Sequence, residues 1–102
     1  MNLIHDNKTN RFVVLFSLYI AVGGHYDFVK NIKVLAEHNA ISSRDFKSAF
    51  RYLSEENLIE LSNGEEEYYG SITHKGLKAV EDVFIDTNQP TYYFPAYRDM
   101  KG

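Results

Sequence analysis

Four polar side chains near the middle of the chain share one helical line. Arg44, Lys47, Ser48 and Arg51 stand at i, i+3, i+4 and i+7, the spacing that collects side chains on one face of a helix turning about 100° per residue. The chemistry open to such a set is recognition of anions and of paired hydrogen-bond acceptors. A guanidinium fork donates two parallel bonds to a phosphate or to the edge of a guanine, an ammonium is a point charge for phosphate, and a hydroxyl donates or accepts. Ser43 immediately precedes this face, and Lys30 and Lys33 supply two more cations upstream. An ordinary solvated helix face has the same composition, so what surrounds the four residues has to decide between the two readings.

Other chemistry finds less support. His5, His25, His38 and His74 are scattered and fit no HExxH or comparable metal-ligand spacing. The chain has no cysteine, hence no disulfide, thiolate nucleophile or thiolate metal ligand. Glu65, Glu66 and Glu67 are consecutive, so on a strand they alternate faces and do not make a calcium loop. There is no glycine-rich phosphate loop and no nucleophile elbow. No enzymatic activity, metal or cofactor is expected.

The charge is unevenly placed. The whole chain of 102 residues carries 11 Lys and Arg against 14 Asp and Glu, a net charge of −3. Residues 29–52 hold Lys30, Lys33, Arg44, Lys47 and Arg51 against Glu37 and Asp45, whereas residues 53–69 carry only acids. A hydrophobic content of 44%, with 15% aromatic residues, implies a packed globule, and the length suits one domain. The first ten residues lack the basic start and apolar core of a signal peptide. The apolar run at 12–22 is too short to span a bilayer, so a cytoplasmic protein is expected.

The elements that must position the four residues follow from periodicity. Phe46, Ala49, Phe50 and Leu53 fill the opposite side of the same helix at core-facing spacing. Ser42 or Ser43 can cap its start, and Asn57 is suited to end it in a left-handed conformation. A strand around Leu58, Ile59 and Leu61 follows, then a turn at Asn63 and Gly64. A return strand runs through Tyr68, Tyr69 and Ile72, and Thr73 caps a helix whose stripe is Leu77, Val80, Val83 and Phe84. Upstream, a first helix over 8–22 is apolar nearly all round and needs cover on most sides, and Gly23 and Gly24 end it. A second helix is predicted over 28–37, with Asp27 as cap, Phe28, Ile32, Leu35 and Ala36 inward, and Lys30 and Lys33 outward. Beyond Ile85, Pro90 and Pro95 exclude a continuous helix. Tyr92, Tyr93, Phe94 and Tyr97 predict a tail that docks on its own domain or on a dimer mate. A stacking platform for single strands would interleave aromatics with cations, and only Arg98 and Lys101 are near in sequence.

The segments FKSAFRYLSEENLIEL and YYGSITHKGLKAVE resemble the winged helix-turn-helix superfamily, especially small bacterial regulators of the MarR and PadR kind. The shared pattern is a recognition helix, a leucine-rich exit into a wing hairpin, and a threonine-capped helix with glycine in its first turn; the likeness spans roughly residues 9–85. It implies a mainly α fold with a small β-hairpin wing (α+β), a three-helix core plus a C-terminal helix, over residues 1–85, with residues 86–102 as the aromatic tail. It further implies double-stranded DNA as partner, read by Arg44, Lys47, Ser48, Arg51 and Ser43, with Lys30 and Lys33 on phosphates. A homodimer through the first helix and the tail would cover the apolar surface, as expected of a small transcription regulator. The acidic wing and net charge motivate a second reading, a winged helix that binds protein as an adaptor and does not touch DNA.

Overall fold

The computed structural model describes residues 3–25, 28–62 and 68–100. Its order is α1 (Leu3–Ala21), β1 (Lys30–Asn31), α2 (Ile32–His38), α3 (Ser43–Glu55), β2 (Ile59–Leu61), β3 (Tyr69–Ile72), α4 (His74–Ile85) and α5 (Tyr97–Met100). The three strands form one antiparallel sheet in the order β1-β3-β2, with Lys30 opposite Gly70 and Ile59 opposite Ile72. This is an α+β domain, mainly helical, with a small sheet at one side.

The apolar first helix is the centre of the molecule. α1 packs against α2, α3, α4 and β3, burying Phe12, Val14, Leu15 and Leu18. It begins five residues earlier than the sequence predicts, so Leu3 and Ile4 form an exposed first turn. Gly23 and Gly24 both take positive φ and close the end of α1 through bonds from their N–H groups to Ile20 and Tyr19 carbonyls. The tail supplies cover for α1 from the same chain. Phe94 is 1% exposed, its ring meets Phe12 edge-on at 5.3 Å, and Tyr97 lies 4.8 Å from Phe84.

The second helix departs from the sequence expectation. Residues 28 and 29 lie outside any helix or strand and are exposed, Phe28 at 56%, and Lys30 and Asn31 pair with β3 as a strand. α2 starts only at Ile32, where the Asn31 side chain accepts from the Val34 N–H. The physical reason is non-local. Lys30 and Asn31 pair with Gly70 and Tyr69, and the Ile32 N–H donates to the Tyr68 carbonyl at 2.9 Å, so β3 captures residues that helical periodicity alone would assign to α2. Asp27, the predicted cap, and the turn at Asn63 and Gly64 with Glu65, Glu66 and Glu67 lie outside the described residues. No described helix is long and apolar enough to cross a membrane.

Candidate functional site

α3 is held by both ends and by its back. At the start, the Ser42 hydroxyl accepts from the Asp45 N–H at 3.2 Å, which makes Ser42 the cap and leaves Ser43 as the first, exposed helical residue. At the finish, Asn57 takes φ of 61°, and the N-terminal turn of α4 binds the outgoing chain. The Thr73 hydroxyl donates to the Asn57 carbonyl at 2.7 Å and accepts from the Gly76 N–H at 2.9 Å, while Lys75 Nζ donates to the Glu56 carbonyl at 2.9 Å. Between the ends, Phe46, Ala49, Phe50 and Leu53 are buried, and Tyr68 sets its ring edge against both Phe46 and Phe50.

With the back fixed, the predicted face projects outward as one line: Arg44, Lys47, Ser48 and Arg51 are all exposed. Arg44 and Arg51 are two turns apart, roughly 10 Å along the axis. Arg51 Nε donates to Glu55 Oε1 at 2.9 Å, with both side chains largely in solvent. An exposed i,i+4 pair of this kind contributes about 0.3–0.5 kcal/mol, so the guanidinium exchanges readily to a stronger anion. The two upstream lysines do not share a helix as predicted. Lys30 sits on the exposed β1 strand, whereas Lys33 belongs to the first turn of α2 with Nζ 5.5 Å above the Tyr68 ring.

The fold also gathers a second group that no local spacing reveals. The Arg11 guanidinium lies 3.9 Å above the Tyr52 ring, and Lys75 Nζ lies 5.6 Å from the Tyr93 ring centre. Tyr93 meets Tyr92 at 4.8 Å, and Tyr92 is 87% exposed. The Tyr93 contact, ahead of the opposing effect of burial, raises the pKa of Lys75 above its ordinary value. Burial raises Tyr52, with Glu56 next and Arg11 opposing, and Tyr93 and Tyr92 are close enough to add to the shift. These residues come from α1, α3, α4 and the tail, which explains why the sequence offered only Arg98 and Lys101 as cations near the tail's aromatic rings.

An open groove of about 620 Å³ runs beside α1, walled by Phe12, Phe16, Ile20, Leu35, Tyr97 and Met100. Among the described residues, no three His, Asp or Glu side chains gather as a metal site would require, and His38 ends α2 on the surface, where a cation suits the helix dipole. Comparison with protein-family models, with curated proteins and with solved structures finds no match to this chain.

Proposed function

We propose that this chain is a cytoplasmic winged helix-turn-helix protein that binds double-stranded DNA sequence-specifically through the outward face of α3, as a small dimeric transcription regulator. The observation that carries the reading is the exposed line of Arg44, Lys47, Ser48 and Arg51 on a helix whose other side is pinned by Phe46, Ala49, Phe50 and Leu53. The order of elements agrees with it: α2 and α3 are joined by a short link, and a two-stranded unit follows α3 directly. In a helix-turn-helix, the second helix enters the major groove while the first crosses the backbone. α3 then offers two arginines for guanine edges or phosphates, with Ser43 at its leading end, and Lys33 and Lys30 reach flanking phosphates. The groove beside α1, together with Ile20 at 61% exposure, offers the apolar surface on which a second copy would pack. A two-fold pair would read half-sites about 34 Å apart or a multiple of that.

Titration of random duplex against salt tests the reading. A face that neutralises several phosphates loses affinity with a log-log slope near −0.9 per phosphate. Arg44→Ala combined with Arg51→Ala should weaken binding at low salt by at least about tenfold, and selection from random duplexes should return pseudo-palindromes. Unchanged affinity in the double variant overturns the assignment of the face. The protein-adaptor reading is favoured by the net charge of −3 and the acidic run that follows α3; failure of the protein to bind any DNA, duplex or single-stranded, in dilute buffer selects it.

A further inference from the structure

We propose that Arg11, Tyr52, Lys75, Tyr92 and Tyr93 form a second nucleic-acid surface, a ring-and-cation platform that takes an unpaired base and its phosphate beside the duplex held by α3. The part about the adjoining duplex rests on the proposed function above; the platform itself does not.

The first argument is the way Tyr92 is displayed. The turn at 91–94 is closed by the Thr91 N–H donating to the Phe94 carbonyl at 2.8 Å and by the Phe94 N–H donating to the Thr91 hydroxyl at 3.1 Å. Phe94 is sunk into the core and anchors that turn. Tyr92 is therefore held outward by a fixed backbone, so a ligand stacking on it need not order the chain first. Its neighbour Tyr93 is half-buried and carries Lys75 against its ring.

The second argument is the placing of cations among the rings. Arg11 covers Tyr52 on one face and, half-buried, has no carboxylate within ion-pair distance among the described residues, so its charge is not committed to an acid. Lys75 and Lys78 border the depression next to Tyr92 and Tyr93, with Asp82 at its edge. Three cations, Arg11, Lys75 and Lys78, thus stand near two carboxylates, Glu56 and Asp82. The surplus is small, so the rings carry more of the binding than charge does. Rings alternating with cations suit single strands, because every base has a π-face and each is followed by a phosphate. A base inside a duplex has both faces covered, which restricts this surface to unpaired nucleotides. Tyr52 also borders the depression formed by Lys47, Ser48, Arg51 and Glu55, so the platform is continuous with the outward face of α3.

The test compares fluorescence anisotropy of the full chain on a blunt duplex of about 20 base pairs, the same duplex with a short oligothymidine overhang, and an oligothymidine of about ten nucleotides. The overhang should tighten binding by about fivefold or more, as the gain from one or two stacked bases. Tyr92→Ala should abolish that gain while leaving blunt-duplex affinity and the circular dichroism spectrum unchanged; Tyr92→Phe should keep it, and Arg11→Ala should reduce it. Duplex binding with no gain from the overhang, or a gain that survives Tyr92→Ala, overturns the platform alone. Tyr92-dependent binding of the oligothymidine without any duplex binding sustains the platform and overturns the duplex reading. Binding of neither the oligothymidine nor any duplex overturns both.

Discussion

Replacing Phe94 by Ala tests whether the aromatic tail belongs to the cooperative core. Phe94 is 1% exposed and lies edge-on to Phe12, itself 3% exposed. Removing a buried phenylalanine ring costs about 3–5 kcal/mol when the surroundings stay in place, from lost transfer energy and the cavity left behind. A domain of this length has a total stability of about 5–15 kcal/mol, so the variant should lose about a fifth of it or more. At about 4–8 °C per kcal/mol for a domain near this size, the expected fall in Tm is on the order of 15 °C or more. Another outcome is open to the chain: the tail can peel away, which limits the cost to its docking energy and uncovers Phe12 and Phe84. Urea unfolding followed by circular dichroism separates the two, because a native state that has already exposed that surface gives a smaller m-value. In either case the turn that displays Tyr92 loses its anchor, and the overhang preference should vanish with the stability. A loss below about 1 kcal/mol with an unchanged m-value would refute the placing of the tail in the core.

The junction between α3 and α4 makes a second prediction. An added Cβ at Gly76 collides with the Leu58 carbonyl oxygen and lies 2.8 Å from Ile72 Cγ1, so Gly76→Ala should cost about 1–3 kcal/mol by overpacking against backbone, read as a lower urea midpoint. Thr73→Ala removes the cap of α4 and the bond to the Asn57 carbonyl together and should cost about 1–2 kcal/mol; a tilt of α3 would also show as weaker DNA binding with Arg44 and Arg51 intact. The Tyr19 hydroxyl donates to Glu81 Oε2 at 2.8 Å, and that bond, then burial and the Glu81 charge, raises its pKa above 10.0. Because the folded state holds the proton more tightly, the stabilisation is complete below pH 10.0, the ordinary value, and is lost as pH climbs through the raised one. Tyr52 adds to the same alkaline limb, its pKa raised chiefly by burial. Tyr19→Phe should flatten that limb in urea midpoints taken from pH 8 to 11, and identical limbs would dismiss the Tyr19–Glu81 contribution.

The parts of the fold that were legible in the sequence are those whose signal is local. In α3 the cap, the buried stripe, the exposed cations and the left-handed Asn57 all fall within sixteen residues, and each agrees with the others. Thr73 and Gly76 at the start of α4 are of the same kind. Residues 28–31 are not legible locally, because Phe28 and Ile32 stand at helical spacing, while the competing influence, pairing with Tyr69 and Gly70, arrives from nearly forty residues away. That pairing takes Lys30 off its predicted helix but leaves Arg44, Lys47, Ser48 and Arg51 untouched, since α3 takes its orientation from α1, Tyr68 and the start of α4. The ring-and-cation group is the extreme case. Arg11, Tyr52, Lys75 and Tyr92 are separated by at least seventeen residues at every step, and each is unremarkable where it stands in sequence. What joins them is the burial of Phe94 against Phe12, which brings the tail back against the middle of α1. The same contact that completes the core therefore decides which polar groups meet on the surface above it. A substitution at Phe94, with no polar atom of its own, should consequently alter ligand preference as well as stability.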